Sequence, residues 1–257
     1  MEKKSLLCAT DADTNMGESN MGLYVVVPAY NEEQNIEKCI NDWYPVVEQH
    51  NQDGASRLVI INDGSKDNTF DKLQKLASSK PLLVPVTKEN GGHGSAVLYG
   101  YRYAIDHKAE WIFQTDSDGQ TNPEEFEQFW TKRHEYDAII GNRTVRGDGK
   151  DRKMVENVVC FLLRIIFGVK VQDANAPFRL MKADLVAKYI DKLPRDFNLP
   201  NIMFTTYFVY FKERVLFLPI SFQPRMAGKN SINLKKIIKI GWKAIGDFYR
   251  LRRGING

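Results

Sequence analysis

Two aspartates separated by one residue, Asp116 and Asp118, are the side chains of this sequence whose type and spacing first suggest chemistry. They follow an apolar run at 111–115, and residues two apart at the end of a strand point to the same side. Two such carboxylates can share one Mg²⁺ or Mn²⁺, and Gln120 adds a neutral oxygen ligand. A cation held this way keeps positions open for substrate phosphates. A plain turn at a strand end is the alternative interpretation of the same tripeptide.

Three further polar runs follow apolar segments earlier in the chain, and they read PAYNE at 28–32, NDGS at 62–65 and NGGHG at 90–94. Asp63 can accept hydrogen bonds from a nucleobase or a ribose hydroxyl, or it can serve as a turn residue or helix cap. The glycines around Gly92 can present backbone N–H groups to a phosphate at the start of a helix, or form an ordinary tight turn. These runs alone leave both interpretations open.

The elements that must position these runs are predicted from hydrophobic patterning. Short β-branched runs alternate with amphipathic segments, which is typical of βαβ units that build a mainly parallel sheet with helices on both faces. We predict strands at 23–28, 57–61, 82–86, 111–115, 137–141 and 214–221, and helices after 31–32, after 67–69, at 94–107, at 154–167 and at 233–252. Ligands of such sheets bind beyond the carboxyl ends of the strands, so we expect the polar runs to meet at one edge.

Length and composition favour one catalytic domain. The chain has 257 residues, of which 43% are hydrophobic, enough for one substantial core. We expect a polar, flexible leader at 1–21, a catalytic domain at 22–232 and a basic amphipathic helix at 233–257. Arg164 and the run KER at 212–214 interrupt the most apolar stretches, so no membrane span is expected.

Net charge and cysteine content give only weak information about the partners of the protein and its redox compartment. The net charge of +4 is compatible with phosphate ligands or an anionic membrane surface but requires neither, and we expect no nucleic-acid partner. The three cysteines, Cys8, Cys39 and Cys160, are widely spaced and lack metal-ligand spacing, which favours a reducing cytosol.

Taken together, the polar runs carry a family resemblance. The segments VVVPAYNEEQNI, VIINDGSKDNT, ENGGHGSAVLYGY and FQTDSDGQTNPEE, in this order, resemble family 2 glycosyltransferases with the GT-A fold. The segments GNRTVRGDG, VQDANAPFRLMK and LPISFQPRMAGKNS are similar to the dolichol-phosphate mannosyltransferase-like branch, which uses polyprenyl phosphates. The resemblance extends from about residue 23 to 235. It implies a Rossmann-like, mainly parallel sheet flanked by helices.

The resemblance also implies site residues. A nucleotide pocket would be walled by Pro28, Ala29, Tyr30 and Glu32, with Asp63 on the base and Gly92 near the phosphates. The Mg²⁺ or Mn²⁺ that bridges the donor diphosphate would be held by Asp116, Asp118 and Gln120. Phosphate contacts would come from Arg143, Arg225, Lys229 and Ser231.

Asp173 completes the implied catalytic set of Asp118, Arg143, Arg225 and Asp173. It lies where related enzymes often place an acid near the acceptor, and a hydroxyl acceptor would need such a base. A phosphate acceptor is already an anion and needs none. We favour a structural role in which Asp173 pairs with Arg179.

Two residues depart from the family pattern. Asn62 replaces the first of two consecutive acids that the family commonly has before Gly-Ser, which puts any role of that acid in doubt. His93 stands where many relatives have a lysine or arginine, so a phosphate contact there would carry only fractional charge near neutral pH.

The expected function is metal-dependent, inverting transfer of a sugar from a UDP- or GDP-linked donor to a polyprenyl phosphate, in the cytoplasm at the membrane face. Alternatives are transfer to a hydroxyl of a growing glycan or glycolipid, or a nucleotide- or lipid-binding module that has lost turnover. A sugar-nucleotide pyrophosphorylase is disfavoured because its glycine-rich, basic signature is missing after the first strand. The basic terminal helix either contacts a membrane or docks its apolar face on the domain.

Overall fold

The structure, a computed structural model, describes residues 22–52, 54–146, 150–224 and 234–255, with side chains left out at 145–152 and 234–243. The expected leader at 1–21 lies outside these ranges. So do three of the predicted site residues, Arg225, Lys229 and Ser231.

The described strands form one seven-stranded sheet. They are β1 (Leu23–Ala29), β2 (Arg57–Asn62), β3 (Leu83–Thr87), β4 (Trp111–Thr115), β5 (Ala138–Arg146), β6 (Phe178–Lys182) and β7 (Val215–Phe222). Their order is β3-β2-β1-β4-β6-β5-β7, and β6 alone runs antiparallel to its neighbours β4 and β5. The predicted mainly parallel α/β sheet is therefore confirmed, with an antiparallel strand that was not predicted.

The helices lie on both faces of this sheet. They are α1 (Ile36–Gln49), α2 (Thr69–Ala77), α3 (His93–Asp106), α4 (Glu127–Trp130), α5 (Lys150–Phe167), α6 (Ala183–Ile190), α7 (Pro200–Tyr210) and α8 (Leu234–Ile255). A short 3-10 helix at Pro123–Glu125 precedes α4. The predicted α5 is confirmed and begins earlier, at Lys150, while α6 and α7 were not predicted.

Alternation along the strands produces two cores. In β1, Val25 and Val27 face the core beneath α1, whereas Tyr24 and Val26 face the core beneath α3. A Cβ on Gly100 would lie 2.3 Å from Cγ1 of Val26, so α3 packs directly on the strand at that glycine. This close approach places the beginning of α3 beside the carboxyl ends of the central strands.

The C-terminal helix docks on the domain in its second half. Ala244 and Phe248 are buried, and the ring of Phe248 contacts Phe167 of α5 edge-on, with centroids 6.4 Å apart. Tyr249 is 52% exposed. Among the described helices, none combines the length and the apolarity that crossing a bilayer requires.

Candidate functional site

The carboxyl ends of β1, β2 and β4 lie side by side. Ala29 pairs with Asn62, and the Asp63 N–H donates to the Ala29 carbonyl at 2.9 Å. Val26 pairs with Gln114 on the other side of β1, so the run after β4 emerges at the same edge. The polar runs of the first, second and fourth strands thus meet where the sheet topology predicted.

Tyr30 is the exposed member of the predicted pocket wall. Pro28 and Ala29 lie within β1 and are buried, while the side chain of Tyr30 is 41% exposed. Glu32 is buried and accepts a hydrogen bond from Nδ2 of Asn35 at 2.6 Å. An aromatic ring standing at the strand ends is suited to stacking on a nucleobase.

Asp63 is buried and holds the glycine-rich loop. Its carboxylate accepts hydrogen bonds from the N–H groups of Gly91 at 3.0 Å and Gly92 at 2.8 Å, and from Nζ of Lys88 at 2.6 Å. The N–H that was expected to face a phosphate at Gly92 is thus donated to Asp63. A base contact by Asp63 would have to compete with these three interactions, which sequence reasoning did not anticipate because Lys88 lies 25 residues away.

Asp116 and Asp118 lie on the turn after β4. Oδ1 of Asp116 accepts a hydrogen bond from Nε2 of Gln114 at 3.2 Å and lies 3.9 Å from Nε2 of His93. Oδ1 of Asp118 accepts from the backbone N–H of Gln120 at 3.2 Å. Burial raises the pKa of Asp116, and the nearby charges of His93 and Arg143 partly oppose that rise.

Negative charge is concentrated around this turn. Glu32 also raises the pKa of Asp116. Burial raises the pKa of the Cys39 thiol, and Asp42, Asp118, Glu32 and Asp116 each raise it further. A bound cation would relieve this repulsion.

The donor set fits a divalent cation that is bound together with a ligand. Two carboxylates supply the hard oxygen atoms that Mg²⁺ and Mn²⁺ prefer. Within the described ranges no three His, Cys, Asp or Glu side chains form a complete cage, so oxygen atoms of a bound phosphate would have to complete the coordination. That arrangement is typical of sites in which Mg²⁺ is held by one or two carboxylates and substrate phosphates.

Gln120 makes a contact that the sequence did not predict. Its Nε2 donates to the carbonyl oxygen of Gln223 at 2.8 Å, and the Gln223 N–H donates back to the Gln120 carbonyl at 2.8 Å. The side chain is buried. These two hydrogen bonds connect the turn after β4 with the segment after β7. A cleft of about 660 Å³ lies beside this connection and is lined by Gly119 and Gln223, among others.

Arg143 and Asp173 form a buried ion pair. Nε and Nη2 of Arg143 donate to Oδ2 and Oδ1 of Asp173 at 2.7 and 2.8 Å, and Nη2 also lies 3.3 Å from Oε2 of Glu156. The β5–β7 ladder is irregular just after Arg143, as at a bulge that redirects a side chain. The guanidinium expected to contact phosphate is 8% exposed and is held by two carboxylates.

The predicted pairing of Asp173 with Arg179 is wrong. Arg179 is fully buried in β6 and donates to the backbone carbonyls of Ala174, Ala176 and Asn201. Burial lowers the pKa of Arg179, and the nearby Tyr101 and Asp173 oppose that shift, but its N–H groups donate to these backbone carbonyls. A structural contact for Asp173 is found, but its partner is Arg143.

Glu156 is a site residue that sequence reasoning missed. It lies on α5, is buried, and its Oε1 accepts the N–H of Ala174 at 2.7 Å. Burial and the neighbouring Asp173 raise its pKa, and Arg143 lowers it. The available signal was a single acid within the apolar part of a helix.

Comparisons with known proteins bear on the family and the fold of the chain. The family model described as Glycosyl transferase family 2 matches residues 24–190. The chain is 25% identical over 223 residues to the undecaprenyl-phosphate mannosyltransferase of Micrococcus luteus, covering 83% of this chain and 88% of that protein. It is 22% identical to the undecaprenyl-phosphate 4-deoxy-4-formamido-L-arabinose transferase of Proteus mirabilis, covering 84% of this chain but only 64% of that protein's length.

Solved structures show the same fold. Glucosyl-3-phosphoglycerate synthase of Mycobacterium tuberculosis, in complex with Mn²⁺, UDP and phosphoglyceric acid, superposes with a TM-score of 0.66 at 18% identity over 90% of this chain and 78% of that one. TarS of S. aureus in complex with UDP-GlcNAc gives a TM-score of 0.56 at 20% identity, over 89% of this chain and 66% of that one.

Proposed function

The chain belongs to glycosyl transferase family 2, an enzyme family that transfers sugars, and on that premise we propose a metal-assisted transfer from a nucleotide-diphosphate sugar to a polyprenyl phosphate. The observation that carries the donor half is the pair Asp116 and Asp118, set in concentrated negative charge at the carboxyl end of β4. Such a pair is suited to a cation that arrives with a diphosphate.

Each residue at the strand ends has a role in this proposal. Tyr30 stacks on the base, and the loop held by Asp63 brings the beginning of α3 to the donor. Asp116 and Asp118 would hold Mg²⁺ or Mn²⁺, which when bound offsets the charge on the departing diphosphate. An acceptor phosphate oxygen attacks the anomeric carbon of the donor sugar. The bond between that carbon and the diphosphate oxygen breaks, and its electron pair leaves with the nucleotide diphosphate.

No general base is required for this acceptor. A phosphate oxygen is already an anion at neutral pH, whereas a hydroxyl acceptor would need a carboxylate to take its proton. Asp173 and Glu156, two buried acids of the site, are both in contact with Arg143. This arrangement supports the phosphate over the hydroxyl acceptor.

The acceptor half is supported by an apolar stripe on the outer face of α5. Met154, Val158, Phe161 and Ile165 recur at helical spacing and are between 53% and 62% exposed. Exposed basic residues are present on the same helix, at Lys153 and Arg164, and on helix α8, which packs on α5, at Arg250 and Arg253. Apolar residues set among basic ones favour an anionic bilayer surface.

Helix α5 connects this surface with the site. Its inner face carries Glu156, which contacts Arg143, while its outer face carries the stripe. A lipid phosphate held at the bilayer surface would therefore be presented near the site. Two names support this acceptor, since the relatives from Micrococcus luteus and Proteus mirabilis are both called undecaprenyl-phosphate transferases. We place the protein at the cytoplasmic face of a membrane.

The donor is tested by thermal shift and product formation. UDP and GDP, each with and without Mn²⁺, should raise the melting temperature most for the correct base with metal. Labelled UDP- and GDP-sugars with undecaprenyl phosphate should then give a lipid product that Asp118→Ala abolishes and Asp191→Ala, on an exposed surface carboxylate, does not. Product on an oligosaccharide but on no lipid phosphate would overturn the acceptor. Nucleotide binding without any metal-dependent product would overturn the catalytic proposal.

The membrane contact is tested with sedimented vesicles. Burying a half-exposed apolar side chain contributes about 1 kcal/mol, so Phe161→Gln with Ile165→Gln should weaken binding to anionic vesicles about 30-fold. Tyr99→Gln, which removes an aromatic side chain that is 41% exposed on α3, should change binding little. Equal binding of wild type and the double variant would exclude the stripe as the contact.

A further inference from the structure

A line of buried polar side chains runs from Asp116 into the core. Nε2 of Gln114 donates to Oδ1 of Asp116 at 3.2 Å, and Oε1 of Gln114 accepts from Nδ2 of Asn201 at 3.0 Å. Oδ1 of Asn201 accepts from the hydroxyl of Tyr101 at 3.3 Å. Gln114 and Tyr101 are fully buried and Asn201 is 3% exposed, so the line has no contact with water behind Asp116.

The direction of every hydrogen bond in this line is determined by the carboxylate at its Asp116 end. An ionised carboxylate only accepts, so Gln114 must turn its Nε2 toward Asp116 and its Oε1 toward Asn201. Asn201 must then present Nδ2 to Gln114 and Oδ1 to the Tyr101 hydroxyl. Each amide therefore has one orientation that satisfies both neighbours.

The far amide is itself held by the fold. The backbone carbonyl of Asn201 accepts from Nη1 of Arg179 at 3.0 Å and from Oγ1 of Thr205 at 2.9 Å. Arg179 is the residue paired with Gln114 across the β4–β6 ladder. Strand β6 and helix α7 thus hold Asn201 in place, and Asn201 in turn orients Gln114.

Buried amides in an apolar core need an explanation. Gln114 belongs to a strand whose other members are Trp111, Ile112, Phe113 and Thr115, and an apolar residue at its position would avoid burying an amide. Hydrogen bonds to charged groups are the stronger ones, and the only charged side chain on this line is Asp116. The line therefore ends on a predicted ligand of the cation.

We propose that Gln114 and Asn201 are positioning residues that fix the orientation of the Asp116 carboxylate for the divalent cation. The inference rests on the proposed metal-assisted function. Loss of a residue that hydrogen-bonds to a metal ligand and orients it typically lowers metal affinity 10–100-fold. Here Gln114 and Asn201 act through Asp116 and contact neither donor nor acceptor.

The test is Mn²⁺ binding, measured by electron paramagnetic resonance in the presence of the nucleotide diphosphate that gives the larger thermal shift. Gln114→Met, close in volume and without an amide, should weaken Mn²⁺ binding at least tenfold and leave metal-free nucleotide affinity within twofold. Asn201→Ala should also weaken Mn²⁺ binding. The double variant should lose less Mn²⁺ affinity than the product of the two single losses, because both residues act through the same hydrogen-bonded line.

Thr206→Val is the matched control. Thr206 lies on the same helix, is fully buried, and donates to the carbonyl of Ile202 at 2.7 Å without joining the line. It should lower the melting temperature without changing Mn²⁺ affinity. If Gln114→Met fails to fold, Asn201→Ala carries the same measurement.

The outcomes separate this inference from the proposed function. If the Gln114 and Asn201 variants bind Mn²⁺ within twofold of the wild-type affinity, the positioning role alone is overturned. A loss in Thr206→Val as large as that in Gln114→Met also overturns it, because the effect would then follow stability. A wild-type protein that binds no Mn²⁺ with nucleotide overturns the metal-assisted function itself.

Discussion

Replacing Arg143 by methionine should destabilise the protein strongly. Arg143, Asp173 and Glu156 have side chains that are 8%, 3% and 11% exposed, so the substitution removes the buried guanidinium that both neighbouring carboxylates contact. Removing one partner of a buried ion pair costs about 3–5 kcal/mol. For a protein of this length that corresponds to a fall in melting temperature of roughly 6–20 °C.

The loss should also depend on pH. The pKa of Glu156 in the folded protein is raised above 4.5 by burial and by Asp173, so its contribution to stability is fully present below that pH and declines as pH rises through the folded pKa. Arg143 opposes this shift, and its removal raises the folded pKa further. The destabilisation of Arg143→Met relative to wild type should therefore be larger at pH 8 than at pH 5.

Thermal unfolding measures the fall in melting temperature, and urea unfolding at the two pH values measures the pH dependence, both followed by circular dichroism. Arg102→Met is the control, because Arg102 pairs with Asp191, whose side chain is 89% exposed, and such surface pairs contribute about 0–1 kcal/mol. A change of about 1 kcal/mol should shift the melting temperature of a protein of this size by at least about 2 °C. If Arg143→Met melts within about 2 °C of wild type, the ion pair does not hold these segments together. The guanidinium would then be available for phosphate, as the sequence pattern first indicated.

Three further predictions concern a glycine in a tight contact, a surface ion pair and the proposed base-stacking residue. Gly94→Ala should lower the free energy of unfolding by about 1–3 kcal/mol, measured by thermal unfolding, because the added Cβ would lie 2.2 Å from a backbone carbonyl oxygen. Gly246→Ala is the control, because a Cβ there meets nothing within 4 Å, and it should raise the free energy of unfolding by about 0.5–1 kcal/mol. Asp137→Asn should cost about 1 kcal/mol at pH 7, because Arg214 and Lys182 lower the pKa of Asp137 from 3.8 to about 2 but are themselves exposed and screened by solvent. The difference from wild type should vanish as pH falls from 4 to 2, and a constant difference would contradict this. Tyr30→Ala should raise the dissociation constant of the nucleotide about tenfold by calorimetry through lost stacking, and an equal loss in Tyr99→Ala, also 41% exposed, would argue against a local contact.

The strand ends were predictable because their signals are local. A β-branched run followed by Asp, Asn or Gly indicates where a strand stops, and the topology of a parallel sheet then brings those stops together. Strand β6 was missed because the alternation in its residues, FRLMK, lasts only three positions, and their place between β4 and β5 depends on partners far away in the chain. Helix α7 was missed because it is buried on nearly every side and has no polar face to reveal its period.

Partners within the site were less predictable than positions. Arg143 and Asp173 were both singled out, yet their mutual contact spans 30 residues and depends on the irregular ladder after Arg143. Charge and spacing in the sequence suggested Arg179 instead, whose guanidinium donates to the backbone carbonyls of Ala174, Ala176 and Asn201. Gln114 did leave a signal, an amide within an apolar strand, but only the neighbouring Asn201 shows what it is for.

The antiparallel strand β6 has a consequence for how the chain folds as it is synthesised. Strands β1 to β4 can pair with one another once residues up to 115 have emerged, which leaves β4 as an open edge. Its neighbour on that side is Phe178–Lys182, so the edge stays open while the next 60 or so residues are added at about 5–20 residues per second. For several seconds the nascent chain therefore presents the unpaired edge of an apolar strand, a feature that favours aggregation and chaperone binding.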